Sequence, residues 1–221
     1  MRLPFLPLAI LALLIVAACS SSAGLSGTSG SEDSSSEATS SFSAAAMSSA
    51  PAGQVWDGKM LTGKHTAMLK TSKGDVTIEL DADVAPKTVT NFVALAKSGY
   101  YNGLTFHRVI PGFMIQGGDP NGNGTGGSSI YGDTFEDEIM ASSPLYQVGY
   151  KAGVVAMANR GPNTNGSQFF IMDKDYPLPP LYTIFGHVTG GQEVVNAIAR
   201  VQSNPSNNMP LEPVTFEVEV R

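Results

Sequence analysis

A mainly β domain is expected, in which a closed or nearly closed antiparallel sheet carries two helices over its open ends. Three observations predict it. Glycine and proline are frequent, 24 and 14 in 221 residues, which suits many turns and short strands. From Ala67 onward, short apolar stretches alternate with polar residues at the period of a strand. Only two segments place apolar residues at helical spacing. Closure would also remove the unpaired edges that an open sheet exposes.

The elements follow in order along 59–221. Ala67–Thr71 and Asp75–Leu80 alternate around Lys73-Gly74, as a hairpin does. Pro86 suits a first helical turn, Val89, Phe92, Val93 and Ala96 share a helical face, and Gly99 terminates it. Tyr100–Gly103 turns into a strand over Leu104–Ile110, Pro111-Gly112 breaks it, and Phe113–Gln116 resumes extended. Gly117–Gly127 is a Gly/Asn loop. Gly153–Ala158 and Gln168–Met172 are apolar strands on either side of the polar turn Asn159–Ser167, and Thr183–Val188 is another strand. Gly190-Gly191 opens a second helix with Val194, Val195, Ile198 and Val201 on one face. Val214–Val220 alternates cleanly to the end.

The first 58 residues read differently. Arg2 precedes the apolar run 3–18, and small residues lead to Cys19. That is the layout of an export signal, and the run is short for a membrane-spanning helix, which needs about 20 apolar residues. Val16-Ala17-Ala18-Cys19 resembles the bacterial lipoprotein box, in which the cysteine carries lipid and becomes the new N-terminus. The alternatives are a plain signal peptide, which leaves a secreted chain, and an uncleaved anchor that happens to contain a cysteine. Residues 20–52 contain 14 serines among 33 residues. Such a stretch buries too little apolar surface to offset its ordering entropy, so 19–58 is read as a flexible tether with a root-mean-square reach of about 30 Å.

Charge and motif spacing exclude several functions. Thirteen basic residues against 19 acidic ones, net −6, make a poor binder of phosphate backbones, so no nucleic-acid partner is expected. One cysteine excludes an internal disulfide and a Cys-rich metal site. His65, His107 and His187 stand at no metal-ligand spacing, and no metal or other cofactor is expected. Gly122, Gly124 and Gly127 spell G-x-G-x-x-G, yet no helix opens after them, so they read as a structural loop. Glu136-Asp137-Glu138 reads as a solvated acidic turn rather than a catalytic carboxylate pair.

What remains is a group of unusual placements. At a period of two, Arg108 shares a strand face with Phe106 and Ile110, and an arginine among apolar neighbours is costly unless its donors find partners. Gln168 and Phe170 share a face of a later strand. With Phe113, Met114, Gln116 and Asn159 they fit a shallow groove, apolar at its centre and polar at its rim. They fit equally an ordinary core with a surface arginine.

The run Phe106-His107-Arg108-Val109-Ile110-Pro111-Gly112-Phe113-Met114-Ile115-Gln116-Gly117-Gly118-Asp119 resembles the signature of cyclophilins, which are peptidyl-prolyl cis-trans isomerases. A second run, Ala156-Met157-Ala158-Asn159-Arg160-Gly161-Pro162-Asn163-Thr164-Asn165-Gly166-Ser167-Gln168-Phe169-Phe170-Ile171, matches in order and spacing. Gly124–Gly127, Phe135–Glu138 and Phe185–Val188 also fit, so the resemblance runs from about Ala67 to Arg221.

The resemblance implies an eight-stranded antiparallel β-barrel capped by two α-helices. It implies Arg108 as the catalytic residue. It places Phe113, Met114 and Phe170 around the proline ring, Gln116, Asn159 and Gln168 on the peptide backbone, and Gly124 and Ala158 along the groove. His107 is read as supporting the strand. Many members carry Trp-Leu before the last matched strand. Here the segment is Tyr176-Pro177-Leu178-Pro179-Pro180-Leu181, so Leu178 is assigned to the pocket wall, and Tyr182 stands where other members have His. The implied reaction is rotation about Xaa-Pro bonds, whose barrier is about 18–20 kcal/mol although the isomers differ by about 0.5–1 kcal/mol. No bond breaks, so neither nucleophile nor cofactor is required. The expected protein is a monomer, anchored outside the cytoplasm, acting on proline-containing segments of exported chains. The alternative is a module that binds proline peptides with little turnover.

Overall fold

The computed structural model describes residues 56–221. The expected export signal 1–18, Cys19 and the expected tether as far as residue 55 lie outside the described residues. The described chain contains β1 (Lys64–Thr71), β2 (Gly74–Asp81), α1 (Pro86–Lys97), β3 (Leu104–Thr105), β4 (Arg108–Ile110) and β5 (Met114–Gly117), followed by α2 (Pro144–Val148), β6 (Val154–Met157), β7 (Phe169–Met172), β8 (Ile184–Gly190), α3 (Gln192–Ala199) and β9 (Thr215–Val220).

The strands form one antiparallel sheet in the order β3-β9-β1-β2-β8-β6-β7-β5-β4. Its two ends, β3 and β4, are consecutive in the chain, separated only by Phe106 and His107. They are the two halves of the expected strand Leu104–Ile110, of which β3 pairs with β9 and β4 with β5. Counted as one bent strand, they give the expected eight strands, and the sheet curls back onto its own edge. Register shifts at Thr77/Ile78 and Val155/Ala156 help the curling.

The bend corrects one expectation. Phe106 does not share a face with Arg108. It lies in the barrel core with Val109, whereas Arg108 and Ile110 lie on the other side of the sheet. Two residues between β3 and β4 leave the ladder, and the period of two restarts after them. Elsewhere the alternation holds. Phe169 and Ile171 enter the barrel, while Phe170 and Met172 join a second apolar cluster with Met114 and Ile184.

The barrel core is aromatic. Phe106 and Phe216 lie 4.6 Å apart between ring centres, Phe92 and Tyr101 5.1 Å. Such pairs add about 0.5–1.5 kcal/mol each beyond the area they bury. Helix α1 packs on β9 and β2, and α3 on β2, β4 and β5. Val201, expected on the face of the second helix, lies two residues past the end of α3, though it still packs on the core. The five-residue α2 was not expected, and it is too short to show a helical period and buries none of its residues. Trp56, assigned to the tether, packs edge-on against Tyr131 at 5.0 Å.

The acidic turn has structural work. Ala85 begins α1 without a side-chain cap. The Glu138 carboxylate, 51 residues away in sequence, accepts the Lys87 N–H at 2.9 Å and the Thr88 N–H at 2.7 Å. Asp137 accepts from Asn163 N–H and the Asn165 side chain. Glu138→Ala is therefore expected to lower unfolding stability by about 1–2 kcal/mol, the range of a lost N-cap, read as a shift in urea midpoint. An unchanged midpoint would show that water caps the helix equally well.

Candidate active site

The site is built on the outer face of β4, β5 and β7. Their register sets Arg108 opposite Gln116, Gln116 opposite Phe170, and Phe170 opposite Ala156 on β6. One row across four strands thus places a cation, an amide and an aromatic ring side by side. The next row sets Ile110 opposite Met114 and Met114 opposite Met172, which makes the apolar floor.

Over these rows lies a groove of about 350 Å³. Arg108, Phe113, Met114, Gln116 and Phe170 line it from the sheet. Gly124 lines it from the glycine loop, Ala158 and Asn159 from the turn after β6, and Leu178 and Tyr182 from the far wall. Gln168 is the expected residue that does not line the groove itself; it stands in an adjoining recess of about 60 Å³, which it shares with Gln116, Gly124, Ala158 and Asn159. The Tyr182 ring meets Phe170 edge-on at 5.5 Å, and its carbonyl accepts the hydroxyls of Tyr146 and Tyr150. Leu178, placed only by the resemblance, lines the groove.

Hydrogen bonds fix the polar rim in one direction. Arg108 Nη1 donates to Gln116 Oε1 at 3.3 Å. Gln116 Nε2 donates to Gln168 Oε1 at 2.9 Å. Gln168 Nε2 donates to the carbonyls of Gly124 and Gly126 at 3.1 and 2.8 Å. The guanidinium is thereby tied through two amides to the glycine loop. The Asn159 side-chain amide donates to the Leu181 carbonyl at 2.8 Å and so holds the far wall.

Two buried carboxylates hold the loops. Asp119, 1% exposed, accepts backbone N–H groups from Asn121, Asn123, Gly124 and Gly126. The glycine loop therefore wraps an anion of its own chain, and no helix follows it. Gly124 has φ +88°, a conformation that disfavours any side chain, and a Cβ there would lie 3.7 Å from the His107 ring. Asp173, fully buried, accepts the Gly112 N–H at 2.7 Å, and its own N–H donates to the Phe113 carbonyl at 2.9 Å. The turn that carries Phe113 into the groove is pinned at both sides.

Five lining residues were not assigned from sequence. His107 is 5% exposed, and neither ring nitrogen has a hydrogen-bond partner among the described residues. Burial pushes its pKa down, with Asp119 opposing and Arg108 adding to the fall, so the ring is neutral near pH 7. Asn123 and Arg160 flank motif residues that were assigned. Asn207 and Met209 come from the loop before β9, which reaches the site because the Asn208 carbonyl accepts the Val109 N–H at 2.9 Å. No local pattern in 204–209 signals that contact.

Fold and site together define a class: a curled antiparallel β-barrel whose outer face carries an open groove with one fixed guanidinium beside an apolar pocket. Residues 66–219 match the family model described as cyclophilin type peptidyl-prolyl cis-trans isomerase/CLD. The chain belongs to this family, and its activity is peptidyl-prolyl cis-trans isomerisation. It is 52% identical over 147 residues to the peptidyl-prolyl cis-trans isomerase ppi1 of Schizosaccharomyces pombe, covering 66% of this chain and 92% of that one. It is also 52% identical over 145 residues to the peptidyl-prolyl cis-trans isomerase-like 1 protein of Emericella nidulans, covering 65% and 86%. A crystal structure of a Cryptosporidium parvum cyclophilin type isomerase determined in the presence of the dipeptide Ala-Pro superposes with a TM-score of 0.65 at 40% identity, covering 71% of this chain and 98% of that one.

Proposed function

We propose that the groove is the catalytic site and that the enzyme works on exported chains from a membrane-anchored position. The single observation behind the site assignment is the row Arg108–Gln116–Phe170 beside the apolar floor. The proline ring packs among Phe113, Met114 and Phe170, with Leu178 and Tyr182 as walls. Arg108 donates toward the proline nitrogen. A donor there favours a pyramidal nitrogen and withdraws its lone pair from C–N resonance, which is strongest in the planar ground state and lost at the perpendicular transition state. The two-amide tether holds the guanidinium in place before substrate arrives, so little reorganisation accompanies the rotation. His107, buried with both ring nitrogens unpartnered among the described residues, supports the strand rather than moving a proton. Substrates on this reading are proline-containing segments of unfolded or exported proteins, and the solved relative with Ala-Pro supports that chemistry.

The location rests on residues 1–19. Lipid on Cys19 would leave the barrel at the end of a serine-rich tether, free to sample chains near the membrane, and lipoproteins anchor stably only because several acyl chains act together. The expected result is that an alkyne fatty acid fed to producing bacteria labels the wild-type chain, which then sediments with membranes. Cys19→Ser loses both label and sedimentation. Labelling retained in Cys19→Ser, or an unlabelled wild type, overturns the anchor.

A further inference from the structure

Arg160 stands over both the groove and its adjoining recess. Their linings hold the two guanidinium groups of Arg108 and Arg160 and no aspartate or glutamate. The domain 59–221 has 12 basic and 15 acidic residues, so this face reverses the sign of the whole. Arg160 is exposed, and no carboxylate of the described residues lies within ion-pair distance of it. Its Nη1 donates to the Thr125 carbonyl at 3.3 Å, and its backbone N–H donates to Thr164 Oγ1 at 2.8 Å. The side chain therefore bridges from the turn after β6 to the glycine loop, above the recess. The anion beneath, Asp119, has both oxygens committed to backbone donors and is buried away from the groove mouth.

We propose that Arg160 makes the enzyme select proline segments that carry an acidic side chain near the Xaa-Pro pair. An extended peptide seated in the groove passes beneath a cation with unused donors, and its flanking residue enters the recess. A Glu or Asp side chain gains a charge-assisted hydrogen bond there, and a Gln or Asn gains only a neutral one. The pair is exposed to water, so the effect is a preference rather than a requirement. The inference rests on the groove being the catalytic site.

The test uses Xaa-Pro peptides carrying Glu or Gln at each of the two positions on either side of the pair, with turnover followed by NMR exchange. In wild type at low salt, kcat/KM is expected to be about two- to five-fold higher for Glu than for Gln at one of these positions, the size of an exposed ion pair. The ratio falls toward one in Arg160→Gln and in about 0.5 M salt, where screening is nearly complete. A ratio of one at every position in wild type overturns the proposal. So does a preference that survives in Arg160→Gln. Arg108→Ala measured on the Gln peptides separates the two readings: undiminished turnover there removes the site assignment itself, whatever the Glu/Gln ratio.

Discussion

Replacing Arg108 by alanine is expected to lower kcat/KM for Xaa-Pro isomerisation by about a hundred- to a thousand-fold, the loss seen when one preorganised transition-state donor is removed. The fold should survive. Arg108 is partly exposed, and among the described residues its side chain makes one hydrogen bond, the 3.3 Å contact to Gln116. Gln116 keeps its bond to Gln168 in the variant. The pocket of Phe113, Met114 and Phe170 also remains, so peptide binding should fall far less than turnover. Arg108→Lys should recover only part of the rate, because an ammonium keeps the charge but not the planar fork that both meets Gln116 and faces the substrate. NMR exchange on a short Xaa-Pro peptide reads the rate, and circular dichroism reads the fold. Near-normal turnover in folded Arg108→Ala would sink the assignment.

Asp119→Ala is expected to have the largest effect on stability, about 3 kcal/mol or more. Four backbone N–H groups lose their acceptor at once, and bonds to a charged acceptor are worth about 1.5–3 kcal/mol each before relaxation. The glycine loop can turn some of these groups to water, which keeps the cost below the sum. That relaxation moves the carbonyls of Gly124 and Gly126, the anchors of Gln168. Activity should therefore fall with stability, even at temperatures where the variant is folded. Asp119→Asn keeps one acceptor oxygen and should lie between. Denaturant titration checks the first effect, and an activity assay well below the melting point checks the second. A variant that is destabilised yet fully active would separate the loop from the groove.

Strand β9 was legible because one of its faces is buried and the other exposed. β9 reads Thr-Phe-Glu-Val-Glu-Val, and the structure buries Phe216 and Val218 while exposing the glutamates between them. The β1–β2 hairpin and both longer helices appear close to where their periods and punctuation put them. The bend at Phe106-His107 was not legible, since neither residue is a turn former, and only the change of pairing partner from β9 to β5 breaks the period. In the site, the residues singled out from the two long runs, Arg108, Phe113, Met114, Gln116, Ala158, Asn159, Gln168 and Phe170, stand around the groove or its recess. Asn207 and Met209 could not be found, because a polar loop a hundred residues from Arg108 carries no sign of the strand it touches. Asp119 was visible only as the end of a motif, and its role depends on four N–H groups whose directions no side-chain pattern records.

Strand β9 lies between β3 and β1, and it is the last strand of the barrel. A chain leaving a ribosome or a translocation pore emerges N-terminus first. Until Thr215–Val220 is released, β1 and β3 each have a vacant edge, and Phe216 is missing from the middle of the aromatic core. Unpaired edges of this kind invite pairing with other chains. The barrel is therefore sealed only when β9 arrives, and the strands before it must wait in an incomplete and adhesive state. A protein that speeds a slow step in the maturation of others has, in its own topology, a step that cannot begin until β9 has emerged.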